Sequence, residues 1–291
     1  MTLVTGAPAP LPPLLIEPVV RAALVEDLGR AGDITTMSVV PAEAQTTGVI
    51  AARQAGVVAG LDCATMAFRL IDPSVRVEVH RPDGSRIAAG ERIATVSGPA
   101  RSILMAERVA LNFLCHLSGV ATATASLVEA VKGHRARITC TRKTTPGLRA
   151  LEKQAVRAGG GVSHRFGLDD GVLIKDNHIS VAGGIGPAIE RARRAIGHMV
   201  KLEVEVENLA QLKVSLAAGV DAVLLDNMAP PLLAEAVAMI AGRAISEASG
   251  RITRETAAVV AATGVDVISA GWITHSAPAL DLGLDLEPTP A

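Results

Sequence analysis

Six short apolar or β-branched runs recur after Lys132, at 138–141, 171–174, 201–206, 222–225, 244–248 and 265–270, with helical patterns between them. Few folds accommodate such alternation. Strand–helix–strand repeats bury a parallel sheet under its own helices. The last three steps between strands are about twenty residues each, the spacing of tight β/α units. The punctuation agrees. Gly159, Gly160 and Gly161 close the helix that follows Pro146, Asn208 precedes a helix with Gln211 three residues on, and Thr253 and Gly264 bracket another. No G-x-G-x-x-G or Walker A pattern occurs, so an open nucleotide-binding sheet loses its usual fingerprints. The expected fold class is α/β: an incomplete (β/α) barrel plus an N-terminal α+β open sandwich.

The sandwich is read from residues 1–118, joined by the tail 276–291, and the barrel from 119–275. A helix is expected from Glu17 to Leu28, stopped by Gly29, after a Pro- and Ala-rich start over 1–14 that is expected to be poorly ordered. The stretch 26–36, with Gly29, Gly32 and Asp33-Ile34-Thr35-Thr36, suggests a shaped turn. Strand signals fill 45–98, interrupted by a helix over 62–70. Val75-Arg76-Val77-Glu78-Val79-His80 alternates strictly, which predicts one buried face. Residues 101–132 read as helix with a break near Gly119. There Ala106, Val109, Ala110, Phe113, Leu114 and Leu117 form an apolar stripe, and Arg108 falls on a different face. The tail 277–286 is expected to be a short helix packing on the first domain.

Composition removes several classes of function. A formal net charge of −1 over 291 residues argues against a general nucleic-acid binder, and 3 Phe, 1 Trp and no Tyr argue against base stacking. Cys63, Cys115 and Cys140 are odd in number and far apart, as expected of free thiols. The N-terminus carries no cation before Arg21, its prolines interrupt any signal-like run, and no apolar stretch is expected to span a membrane. A cytoplasmic protein is expected.

Chemistry concentrates in 138–178. Arg142, Lys143, Arg149, Lys153, Arg157, His164 and Arg165 crowd together with a single acid, Glu152, and Lys175 follows. Clustered cations repel unless they point apart into water or converge on an anion. Arg149, Lys153 and Arg157 repeat every four residues and suit one solvated helix face. Arg142, Lys143, His164, Arg165 and Lys175 lie at strand ends and in a loop, where barrels build their sites, and suit an anion pocket. Strand 201–206 puts Leu202, Val204 and Val206 on one face and Glu203 and Glu205 on the other. The next strand is apolar until Asp226. Inward carboxylates with a strand-end Asp suit Mg²⁺ and a polyol such as ribose. The last two strands end in Ser249-Gly250 and Ser269-Ala270-Gly271, small residues that expose backbone N–H groups to a phosphate.

Taken together, TRKTTPGLRALEKQAVRAGGGVSHRFGL, LIKDNHI, EVEVEN, VLLDNM and ISAGWITHSAPALDLGLD closely resemble the quinolinate phosphoribosyltransferases. EDLGRAGDITT and ERVALNFLCHLSGVAT extend the likeness from about Leu24 to the C-terminus. The resemblance implies a type II phosphoribosyltransferase barrel. It implies that quinolinate and phosphoribosyl pyrophosphate give nicotinate mononucleotide, CO₂ and pyrophosphate with Mg²⁺, in at least a homodimer with shared sites. By the same resemblance Arg142, His164, Arg165 and Lys175 hold the quinolinate carboxylates, Lys143 lies between the substrates, and Arg108 arrives from the neighbouring subunit. Glu205 and Asp226 take the ribose hydroxyls and Mg²⁺, so Lys143, Glu205 and Asp226 are the implied catalytic residues. Ser249, Gly250, Ser269, Ala270 and Gly271 take the 5′-phosphate, and Arg251 is a further candidate there. Ser163, Arg251 and Trp272 depart from the commoner family form without removing a charge. Two rivals remain at this point: a same-fold phosphoribosyltransferase for another acid such as nicotinate, and a non-catalytic barrel that senses phosphorylated ligands.

Overall fold

The computed structural model describes residues 9–286. The expected poor order of the start falls mostly on residues 1–8, and part of the tail on 287–291, both outside the described residues. The chain divides into two compact units: residues 1–125, 144–160 and 274–291 in the first, and 126–143 and 161–273 in the second.

The first unit begins with helix α1 (Pro13–Leu28) and helix α2 (Ile34–Val39). Proline at the start of α1 wastes no donor, because the first N–H groups of a helix have no internal partner. Gly29, at φ 56°, ends α1 as expected. The shaped turn proves to be a cap. The Asp33 carboxylate accepts the Thr36 N–H at 2.9 Å and opens α2. Strands β1 (Gln45–Ala52), β2 (Gly56–Val57), β3 (Arg76–Val79), β4 (Arg86–Ile87) and β5 (Arg92–Pro99) follow, with helix α3 (Leu61–Ile71) among them. Asp83, from the Asp-Gly turn, accepts the N–H groups of Gly60 and Leu61 and so caps α3 from outside. β3 lies at the edge of its sheet, and Val79 there is 43% exposed, so its alternation buries less than expected.

Helix α4 (Ala100–Ala130) is unbroken, against the expected interruption at Gly119. The glycine serves packing. A Cβ there would strike the carbonyl oxygen of Pro278, so only a bare backbone lets the returning tail pass. The six apolar stripe residues of α4 are buried as expected. By length and hydropathy α4 could cross a membrane, contrary to the expectation that no segment could. Yet 67% of its most apolar window is buried within the protein, the mark of a core helix.

The tail is a strand, not a helix. β12 (Leu282–Leu286) pairs antiparallel with β1, and the first sheet runs β12-β1-β5-β3. Alternation in Leu282-Gly283-Leu284-Asp285-Leu286 has a period of two, which a short helix cannot bury. Helix α5 (Arg149–Ala158) also belongs to the first unit. Its expected solvated cationic face is not seen, since Lys153 is 3% exposed and only Arg157 of the three is fully at the surface.

The second unit holds β6 (Arg137–Thr139), β7 (Val172–Ile174), β8 (Leu202–Val206), β9 (Ala222–Asp226), β10 (Ile245–Ser249) and β11 (Val267–Ser269). All six expected strands are present. They form one parallel sheet in the order β6-β11-β10-β9-β8-β7, which leaves β6 and β7 as unjoined edges of an open barrel. Helices α6 (Asp176–Ala182), α7 (Ile185–Ala195), α8 (Leu209–Ala217), α9 (Pro230–Ile240) and α10 (Arg254–Ala262) connect them, and α11 (Trp272–His275) follows β11. Asn208 and Thr253 cap α8 and α10, accepting the Gln211 and Thr256 N–H groups. Leu202, Val204 and Val206 are essentially inaccessible, as residues between a strand and its helices should be.

Candidate active site

The ladder registers decide which side chains share the other face. Glu205 pairs with Leu224, Leu224 with Glu247, Asp226 with Ser249, and Ser249 with Ser269. Partners across a parallel ladder project to the same side, as do residues two apart along a strand. Glu203 and Glu205 of β8, Asp226 of β9, Glu247 and Ser249 of β10 and Ser269 of β11 therefore line one inner wall. Along the ladders Asp226, Ser249 and Ser269 share the row nearest the C-terminal end, Glu205 and Glu247 share the next, and Glu203 lies one step deeper still.

The expected cations meet this wall. Lys175, the residue after β7, places Nζ 2.6 Å from Glu205 Oε2. Its backbone N–H donates to His178 Nδ1 at 2.9 Å, which fixes the start of α6. His164 Nε2 lies 3.3 Å from Glu203 and 3.5 Å from Glu247, and Nδ1 accepts the Arg165 N–H at 2.7 Å. Burial opposes a charge on this ring, but the two carboxylates outweigh it and raise the proton affinity of the ring. Burial raises the Glu203 carboxyl above its ordinary value, His164 pulls it back, and the Glu247 charge pushes it further up.

The Arg165 guanidinium donates to Gly171 O at 3.0 Å. Burial and then the Arg142 charge lower its proton affinity, while Glu203 and Asp170 act the other way. Two guanidinium groups thus sit close enough to repel. Arg142 Nε is buried with no hydrogen-bond partner among the described residues, as are Glu247 Oε1 and Ser269 Oγ. A buried orphan of this kind costs about 1–3 kcal/mol, so three around one wall mark a surface built to receive something.

Lys143 is exposed, and its N–H donates to Thr141 Oγ1 at 3.0 Å. Arg108 belongs to the first unit, exposed on α4. In the first unit Glu152, the lone acid of the cationic stretch, is wholly buried. It accepts from His116 Nε2 at 2.9 Å and from the Thr145 N–H at 3.1 Å, which pins the turn just past Lys143.

The loops after β9 and β10 form an open cleft lined by Asn227, Met228, Ala229, Gly250 and Arg251. Gly250 has φ 105°, and a Cβ there would collide with the Asn227 side chain, so glycine is required. Asn227 and Arg251 hold φ of 52° and 49°, a strained left-handed backbone for residues with side chains. Asn227 Nδ2 also donates to Asp226 Oδ2 at 2.7 Å. Trp272, one of the departures from the family form, donates Nε1–H to Ile252 O at 2.9 Å and ties the loop after β10 to the start of α11. Ser269 and Ala270 are 3% exposed, and Ser249, Gly250 and Gly271 are partly open.

Reasoning from the sequence missed Glu247 entirely. The available signal was a lone charge in Ile245-Ser246-Glu247-Ala248-Ser249, a strand otherwise without one. It also left Glu203 without a partner, because His164 comes from a loop whose course no periodicity reports.

The description "Quinolinate phosphoribosyl transferase, N-terminal domain" matches residues 33–118, and its C-terminal counterpart matches 120–285. A nicotinate-nucleotide pyrophosphorylase [carboxylating] of Mycobacterium leprae is 45% identical over 277 residues, covering 92% of this chain and 95% of the relative. The solved nicotinate-nucleotide pyrophosphorylase of Francisella tularensis superposes with a TM-score of 0.92 at 38% identity, over 97% of this chain and 100% of that one. NadC from Streptococcus pyogenes gives 0.92 at 41%, over 96% and 100%. With both domain descriptions matched in order, and likeness of this depth along nearly the whole length, the chain belongs to the quinolinate phosphoribosyltransferase family.

Proposed function

We infer that this protein transfers the phosphoribosyl group of phosphoribosyl pyrophosphate to quinolinate and decarboxylates the product, giving nicotinate mononucleotide, CO₂ and pyrophosphate in NAD biosynthesis. The observation that carries this reading is the pairing of opposites on one wall. Arg142 and Arg165 repel each other beside Lys175, while Glu205 and Asp226 stand on the neighbouring strands. Converging cations call for a dianion, and strand-end carboxylates call for hydroxyls. Arg142, Arg165 and Lys175 hold the two quinolinate carboxylates, with His164 beside Arg165. Glu205 and Asp226 hold the ribose, and the open backbone at Ser249, Gly250, Arg251, Ser269, Ala270 and Gly271 takes the 5′-phosphate.

The chemistry follows from that placement. The pyridine nitrogen attacks C1 of the ribose as pyrophosphate leaves. Positive charge grows at C1, and the nearby Glu205 carboxylate stabilises it. Lys143 faces the departing pyrophosphate. The N-ribosylated ring is cationic and stabilises the carbanion left at C2 when the 2-carboxylate departs as CO₂, and that electron pair then takes up a proton to give the C2–H of the product. The protein orients the ring and keeps water away during that step.

Glu205 and Asp226 also offer the hard oxygen donors that Mg²⁺ takes, directly or through its waters. When bound, the ion neutralises charge on the pyrophosphate. We place the protein in the cytoplasm as a homodimer, with Arg108 completing the quinolinate site of its partner. A sedimentation mass of one chain at assay concentration would refute the dimer.

The decisive experiment uses quinolinate labelled in its 2-carboxyl. Labelled CO₂ is expected only when phosphoribosyl pyrophosphate and Mg²⁺ are both present. Turnover of nicotinate with none of quinolinate would overturn the reading.

A further inference from the structure

Glu203 and Glu247 have no task in the mechanism above, yet the fold keeps them deep in the barrel, with side chains 12% and 6% exposed. They stand on β8 and β10, with β9 between, and converge on one atom. His164 Nε2 is 3.3 Å from one and 3.5 Å from the other. The remaining ring nitrogen, Nδ1, accepts the Arg165 N–H at 2.7 Å. Two carboxylates at one ring nitrogen require a donor there, so Nε2 carries a proton between the acids whatever the charge of the ring. Both nitrogens are thus engaged inside the protein. Arg165, which His164 holds by its backbone, sends its guanidinium to Gly171 O and feels both Arg142 and Glu203.

We propose that Glu203 and Glu247 are positioning residues of the quinolinate site: they lock the His164 ring as a strut, and the strut aims Arg165. The proposal rests on the reading of this wall as the quinolinate site. One acid would leave the ring free to rock about a single hydrogen bond, whereas two on separate strands fix its plane. Glu247 keeps Oε1 buried without a partner to provide this, a burden that an apolar residue would not impose. The ligand atoms of His164, Glu203 and Glu247 lie within 4.8 Å of one another, close enough to hold a metal ion. A metal would have to displace the Nε2 proton, which the same two acids favour. That proton favours the strut. In this role His164 acts through Arg165.

The test compares Glu247→Ala with Glu247→Gln in the full-length protein, measuring KM for each substrate at saturation of the other. The alanine variant is expected to raise the quinolinate KM at least tenfold, the order of effect a misplaced binding group produces. The KM for phosphoribosyl pyrophosphate should stay within about twofold. Glutamine keeps an acceptor oxygen for Nε2–H and should restore most of the loss. In ¹⁵N-histidine spectra, the signals absent from His164→Asn should show a protonated Nε2 in the wild type. An unchanged quinolinate KM in the alanine variant, equal rises in both KM values, or an unprotonated Nε2 would each overturn the proposal. If the wild type neither binds nor turns over quinolinate, the substrate reading fails instead, and the spectra still decide the strut.

Discussion

Two glutamates two residues apart on β8 show how depth divides the labour of one wall. Glu205 sits at the strand end, its own side chain 13% exposed, and meets Lys175, whose side chain is 46% exposed and carries the pair toward solvent. Glu203 sits one step lower, against His164 and Glu247, where each side chain keeps 12% or less of its surface. At the rim, an ion pair in high dielectric adds little to stability and can be exchanged for a ligand. On the floor, a charge without its partner is expensive, so the groups there are committed to one another. The lesson is that like residues on one strand face can differ in role by depth alone.

Lys175→Met is the strongest way to break this comparison. It should raise the quinolinate KM by about 100-fold, the scale of losing a charge-assisted contact to a bound carboxylate. It should leave the melting temperature nearly unchanged, because the lysine removed is itself nearly half exposed, and pairs that reach solvent contribute about 0–1 kcal/mol. Melting as early as Glu247→Ala would erase the distinction between rim and floor. A smaller effect sharpens the rim itself, which binds by side chains on one flank and by backbone on the other. Gly250→Ala should raise the phosphoribosyl pyrophosphate KM about tenfold, since a Cβ at positive φ strains the loop by about 1–3 kcal/mol. Quinolinate binding measured by calorimetry should be unaffected, and a loss there would mean that the two flanks are one unit.

The barrel strands were legible because burial on one face and water or ligand on the other write a period of two into Leu202 to Val206. The helix caps at Asn208 and Thr253 were legible because a cap is a local hydrogen bond three residues long. Gly119 was misread for the opposite reason. Its cause, the passage of Pro278, lies far along the chain, and a glycine in a helix looks the same whether it breaks or receives. Lys153 was misread because spacing shows that residues share a helix face and says nothing about what covers it. In the site, the cations stood out as a local excess, whereas Glu203 and Glu247 became visible as a pair only through the ring of His164 that both of them meet.

The pairing of β12 with β1 has a consequence for synthesis on the ribosome. Without β12, β1 is an edge of its sheet, with one row of backbone N–H and C=O groups open. Those groups find their partners only after all six barrel strands have emerged, because residues 282–286 come last among the described residues. The nascent first unit therefore exposes a templating edge for most of its translation time. A pause or truncation before Leu282 would release a chain whose barrel can be whole while its first sheet invites pairing with a neighbour.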